Sequence, residues 1–176
     1  MSQNPQSSLD VRLQPIAEGD LPMLRAWRND PSIFKWCRQA EPISEKHHRA
    51  WFESLHGDES RKMYAIYRTK SSQLLGVCGL TSIDWVNRRA EFSLYIGPEH
   101  QGNRYGEIAL RRLLRIAFGI FNLHTVWGES FEGNPAAVMF KKVGFQFEGT
   151  RRRFYFREGQ YVDAHLWSIL RDEFVG

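Results

Sequence analysis

Apolar and polar side chains alternate most sharply at Arg89-Ala90-Glu91-Phe92-Ser93-Leu94-Tyr95-Ile96. Ala90, Phe92, Leu94 and Ile96 share one face of an extended chain, and Glu91, Ser93 and Tyr95 share the other. Gly97-Pro98 stops this strand. Beyond a polar turn, Gln101 to Gly106, the period lengthens: Leu110, Leu113, Leu114, Ala117, Phe118 and Phe121 recur at helical spacing and predict an amphipathic helix. Arg111, Arg112 and Arg115 fall outside this stripe and read as a solvated face. A turn that opens onto a helix start offers unpaired backbone N–H groups and the positive end of the helix dipole, a setting suited to a phosphate or pyrophosphate.

The rest of the pattern is built around this unit. Val11 to Ile16 alternates as a first strand, ended near Pro15. A helix follows with Asp20 as its N-cap and Pro22 in its first turn; it carries Leu21, Leu24, Trp27 and Arg28 and is broken by Asn29-Asp30-Pro31. Ser44 starts a further helix that carries His48, Trp51, Phe52 and Leu55 and stops at Gly57. Trp27 and Trp51, at helical spacing, read as core side chains. Met63 to Arg68 and Leu74 to Ile83 predict a hairpin, and His124 to Ser130 a strand. Asn134-Pro135 opens a short helix that ends at Gly144. Phe145 leads to another strand, and a closing hairpin pairs Arg152 to Phe156 with Tyr161 to Ile169. This order of strands and helices argues an α/β sandwich around a mixed sheet.

Composition narrows the class. A chain of 176 residues, 42% hydrophobic and 25% charged, has the profile of one globular domain, expected over residues 9–176 behind a flexible segment at residues 1–8. No apolar run approaches the roughly 18 to 20 residues of a membrane span, and Met1 to Ser8 lack the apolar stretch of a signal peptide, so the expected compartment is the cytoplasm, with no membrane partner. Cys37 and Cys78 read as free core thiols. A net charge of +4 raises the question of polyanionic partners, but it is dispersed and accompanies no nucleic-acid-binding motif.

Arg89-Ala90-Glu91-Phe92, Gly97-Pro98-Glu99-His100-Gln101-Gly102, Ala117-Phe118, Asn134-Pro135-Ala136-Ala137 and Val143-Gly144-Phe145 together resemble the GCN5-related N-acetyltransferases, the GNAT superfamily. The resemblance implies a GNAT-like three-layer α/β sandwich around a mixed, mostly antiparallel twisted sheet. It also implies acetyl-CoA as cosubstrate and no metal. In that family the loop before the central helix holds the pyrophosphate of coenzyme A. Cofactor contacts are therefore expected from Gln101, Gly102, Asn103, Arg104, Tyr105 and Gly106, with the pantetheine arm beside Leu94, Tyr95 and Ile96, and from Phe140 and Asn134, the last with a plain helix cap as its structural alternative. Two departures stand out. Arg104 occupies a position where the family pattern has glycine, and Phe140 stands where a Tyr commonly protonates the leaving thiolate, one residue closer to Asn134 than usual.

The chemistry needs a neutral amine, and an alkyl amine is mostly ammonium at pH 7, so a group must remove a proton. Glu91 is the candidate base, with an ion pair to Arg88, Arg89 or a neighbouring strand as the structural alternative. Tyr155, or else Tyr95 or solvent, is the candidate acid in place of Phe140. Neither cysteine has the setting of a nucleophile, which argues direct transfer in a ternary complex. Trp27-Arg28-Asn29-Asp30 and Ile43-Ser44 with His48 and Trp51 resemble the branch that acetylates nucleotide-linked amino sugars, including the pseudaminic acid pathway type, with Arg28 and His48 as substrate contacts. The early helices also supply Arg25, Lys35, Arg38 and Arg49, which favours an anionic acceptor. The alternatives are a polyamine (spermidine) or protein N-terminal acetyltransferase, and a non-catalytic coenzyme-A-binding module. The expected partner is a small-molecule amine substrate, not nucleic acid, and a homo-oligomer is left open.

Overall fold

A computed structural model describes residues 11–176; the segment expected to be flexible, residues 1–8, falls outside them. Among the described residues seven strands form one sheet in the order β1-β2-β3-β4-β5-β7-β6. They are β1 (Val11–Pro15), β2 (Lys62–Arg68), β3 (Leu74–Asp84), β4 (Arg89–Ile96), β5 (Thr125–Phe131), β6 (Gln146–Arg157) and β7 (Gln160–Leu170). Only β4 and β5 run parallel, so the sheet is mixed and mostly antiparallel, as expected. Helices α1 (Leu21–Asn29), α2 (Pro31–Phe34) and α3 (Glu45–Glu53) pack with one core, and α4 (Tyr105–Arg115) and α5 (Ala136–Val143) with another. The alternation of strand side chains makes these two cores. On β2, Ala65 packs with Leu24, Trp27 and Val77 beside α1, whereas the next residue, Ile66, packs with Leu110, Leu113 and Leu114 of α4.

Local chemistry explains where the elements depart from the sequence pattern. Asp20 precedes α1 but does not cap it. Its carboxylate accepts instead from the Ala17 N–H at 2.9 Å and the Tyr67 hydroxyl at 2.6 Å, which ties the helix start to β2. The Asn29-Asp30-Pro31 break ends α1 and also starts α2, because Asp30 accepts from the Ser32 N–H at 2.8 Å and Pro31 takes the first helical position. Ser44 caps α3 as expected, accepting from the His47 N–H at 3.2 Å, but the helix ends at Glu53, short of Gly57. Past Arg115, α4 continues into one wider turn, Ile116–Ile120, in which the Phe121 N–H reaches the Ile116 carbonyl at 3.0 Å.

Two expectations about this half of the chain are corrected. Arg111 is not part of a solvated face: it donates to the Lys142 carbonyl at 2.6 Å and pairs with Glu107 at 3.6 Å, bracing α4 against the end of α5. Gln146–Arg157 is one bulged strand rather than a strand followed by a separate hairpin arm, with register shifts at Phe147/Gly149 and Arg151/Tyr155.

Candidate active site

The site begins where the sheet stops being a sheet. β4 and β5 pair only through Arg89, Ala90 and Glu91 against Thr125, Val126 and Trp127, and then part. The Phe92 ring sits at the fork, so close to Gly128 that a Cβ there would lie 2.4 Å from it; it packs on Phe140 and Phe145 with ring centroids 5.1 and 4.9 Å away. A cleft of about 630 Å³ opens beyond the fork. Leu94, Tyr95 and Ile96 line it from β4, Ser130 and Phe131 from β5, and Met139 from α5. The two strand ends no longer bond each other here, so their backbone N–H and C=O groups can pair with an extended, amide-bearing ligand.

One end of the cleft is made of backbone. Gln101, Gly102, Asn103, Arg104, Tyr105 and Gly106 all border it, yet their side chains mostly hold the loop itself. Gln101 donates to the Ile96 carbonyl at 3.2 Å, and Asn103 donates to the Gln101 carbonyl at 3.1 Å. Tyr105 is buried in the core and its hydroxyl accepts from Arg68 at 2.6 Å. Gly106 leaves room for α4 to approach the strand: a Cβ there would meet Met139 Sδ at 3.1 Å and Ile96 at 3.5 Å. What remains for a ligand is the row of N–H groups at the start of α4, the arrangement that binds a pyrophosphate. Arg104 explains its own departure from the family's glycine. It adopts the left-handed conformation (φ 61°) that glycine would supply, at a cost of roughly 1 to 2 kcal/mol, while its guanidinium reaches Glu107 at 3.4 Å.

The other end is made of side chains brought together from distant segments. Glu91 lies on the β4 face that looks toward α1 and α2, and its side chain is only 8% exposed. Its partner is not Arg88 or Arg89 but Arg38, from the connection between α2 and α3, at 2.6 Å. The same guanidinium lies 4.0 Å from Glu129 of β5, whose side chain is 5% exposed. Glu129 also holds Arg151 and accepts from the Tyr155 hydroxyl at 2.7 Å. Burial pushes the Glu91 carboxyl above the usual glutamate range, against the pull of Arg38, and Glu129 adds to the rise. Arg157, at the tip of β6, donates to the Arg38 carbonyl and lies over the Phe131 and Tyr155 rings at 5.4 and 5.6 Å.

Several expected site residues stand elsewhere. His48 is buried against Trp51, stacked at 5.1 Å, and lines a separate shallow depression with Glu18, Arg25 and Arg49; it does not meet Arg28 in the cleft. Arg28 does border the cleft, but its guanidinium is occupied by Cys37 Sγ at 2.9 Å and the Gln39 side chain, over the Tyr95 ring at 5.5 Å. Arg49 is paired with Glu18 and Lys35 lies over Trp36. Counting the basic residues of the early helices therefore overstates the positive charge offered to a ligand. Tyr155 is absent from the cleft wall, and its hydroxyl donates to Glu129; burial and that bond raise its pKa. Phe140 lines the cleft as part of an aromatic cluster and offers no proton. Asn134 borders the cleft just before α5, where its side-chain oxygen accepts from the Ala136 N–H at 2.9 Å. Sequence reasoning missed Glu129 and Arg157 and counted Arg38 only as positive charge for an anionic acceptor; the one signal for their grouping was Glu91, a carboxylate on a strand face that would need a cation.

A family model described as an acetyltransferase (GNAT) domain matches residues 10–146. A spermidine N(1)-acetyltransferase of Vibrio cholerae is 27% identical over 167 residues, 94% of this chain and 95% of that protein. A putative ribosomal N-acetyltransferase of Bacillus subtilis is 28% identical, over 85% and 84% of the two chains. The crystal structure of the V. cholerae spermidine N-acetyltransferase in complex with CoA and spermine superposes with a TM-score of 0.87 at 27% identity, covering 93% of this chain and 96% of that one.

Proposed function

Because this chain belongs to the GNAT acetyltransferase family, we propose that it acetylates a cationic primary amine of the polyamine class, with acetyl-CoA as donor and direct transfer in a ternary complex. The observation that carries the acceptor class is the pair of buried carboxylates, Glu91 and Glu129, at the fork of the cleft. Buried acids that hold a guanidinium can hold an ammonium in its place, whereas a phosphate would meet cations already engaged by the protein. The spermidine enzymes among the relatives support this acceptor over the nucleotide-linked amino sugar expected from the sequence. The helix start at α4 and the parted strands fit a ligand with a pyrophosphate and an extended amide arm, which is what coenzyme A is.

Acetyl-CoA supplies an electrophilic thioester carbonyl when bound. Glu91 supplies the base: raised by burial, its carboxylate can accept the ammonium proton and release the nitrogen lone pair. Neither thiol competes as a nucleophile, since burial raises the pKa of both Cys37 and Cys78. The thiolate leaves with the second proton of the attacking nitrogen or one from solvent, so no tyrosine is required. The test is acetyl-CoA consumption in the presence of spermidine, nucleotide-linked amino sugars or peptide N-termini. Spermidine is expected to have the highest kcat/KM, and a sugar nucleotide preferred tenfold or more would overturn the acceptor class while leaving the transferase.

A further inference from the structure

We propose that Arg38 is a built-in stand-in for the acceptor: in the free enzyme its guanidinium fills the cation seat at Glu91, and an incoming ammonium displaces it. This rests on the cationic-acceptor reading above. The asymmetry of the contact motivates it. The Arg38 side chain is half exposed (50%), whereas the carboxylates it reaches are 8% and 5% exposed. A long side chain thus dips from the surface into a buried acid site. Its backbone is held, because Arg157 grips the carbonyls of Cys37 and Arg38, so the guanidinium can swing without the chain moving.

The two carboxylates differ in how much they depend on it. Glu129 keeps Arg151 on one oxygen and Tyr155 on the other, and Arg38 is only a distant third at 4.0 Å. Glu91 has Arg38 at 2.6 Å as its close cation. Displacement therefore opens Glu91 and leaves Glu129 anchored. The exchange also changes the chemistry. A guanidinium does not give up a proton in a protein, but an ammonium does. Once Arg38 has left, a proton moves from the ammonium nitrogen to a Glu91 oxygen; the N–H bond breaks, the O–H bond forms, and a charged pair becomes a neutral amine beside a neutral acid. Arg38 thereby keeps a buried carboxylate compensated between turnovers and withdraws when the base is needed.

Self-occupancy weakens apparent affinity by the fraction of enzyme whose seat is free. A seat filled about nine-tenths of the time costs roughly tenfold, and Arg38→Gln removes that cost. The experiment compares wild type and Arg38→Gln by calorimetry with spermidine in the presence of CoA, and by steady-state kinetics, with an unchanged CoA affinity as the check that the variant is folded. The expected result is a spermidine Kd about tenfold lower in the variant, with KM falling alongside it. If spermidine is acetylated but Arg38→Gln binds it equally or more weakly, Arg38 positions Glu91 and the stand-in proposal falls while the polyamine reading stands. If the variant binds spermidine more tightly but neither protein acetylates it, the seat stands and the polyamine reading falls. No acetylation and no change in Kd would overturn both.

Discussion

The two ends of the cleft are built on opposite principles. At the α4 end, Gln101 to Gly106 present backbone N–H groups, and the loop is held by contacts within a few residues: Gln101 to Ile96, Asn103 to Gln101, Arg104 to Glu107. At the fork, Glu91, Arg38, Glu129, Arg151, Tyr155 and Arg157 come from four separate segments, and side chains make the site. The loop end can bind any ligand of the right charge and shape. On the reading proposed above, the fork end selects the acceptor. A site that keeps its constant partner on local backbone and its variable partner on long-range side chains can change acceptor without losing its donor.

The largest effect that would sharpen this contrast is at the fork. Glu91→Gln keeps size and hydrogen bonding but removes basicity, so kcat at neutral pH should fall by roughly 10² to 10⁴ while the acetyl-CoA Kd from calorimetry stays the same. The wild-type profile should carry the sign of the raised carboxyl. Activity needs the ionised form, so it should be present above the Glu91 pKa and lost as pH falls through it, with the acid limb above the ordinary glutamate range and absent from the variant. A loss of cofactor affinity in Glu91→Gln would break the separation of the two ends.

The next effect lies in the loop. Gly102 has φ 77°, a conformation in which a β-branched side chain is strained, so Gly102→Val should weaken acetyl-CoA binding about tenfold and leave the acceptor KM nearly unmoved. Equal damage to both substrates would mean that the ends are coupled. The smallest effect concerns Arg104, also left-handed. Arg104→Gly relieves roughly 1 kcal/mol of backbone strain, offset in part by the greater freedom of glycine in the unfolded chain, so a rise of about 2 °C in Tm is the upper expectation. A fall of several degrees would show that the Arg104–Glu107 contact outweighs the strain.

The same contrast explains what was legible in the sequence. The β4 strand, its two faces, the turn and α4 are encoded by period, glycine and proline within about thirty residues; the strand emerges at the expected place, while α4 starts at Tyr105, inside the expected turn, and gives way to a wider turn after Arg115. Asp30 shows the limit of local signals, because a residue read as a helix stop is also the cap of the next helix. Arg38 and Glu129 were beyond reach, since nothing near either residue indicates that β4 and β5 part beside them. Charge misled for a related reason. Arg28, Arg38 and Arg49 count as three positive residues, but each is engaged by the protein itself, and the carboxylates Glu91 and Glu129 are more deeply buried than the Arg38 that reaches them.

The claim that the fork reads a cation is tested most directly by the KM for spermidine in Glu129→Gln. Glu129 is buried and anchored by Arg151 and Tyr155, so on the proposed reading it acts on the ammonium through its fixed charge rather than as the base. A buried carboxylate charge roughly 4 Å from the seated ammonium is worth on the order of 1 kcal/mol or more, so KM for spermidine should rise about tenfold, with the acetyl-CoA KM unchanged and Tm showing a folded protein. A spermidine KM that stays at the wild-type value in a folded Glu129→Gln enzyme would contradict the account.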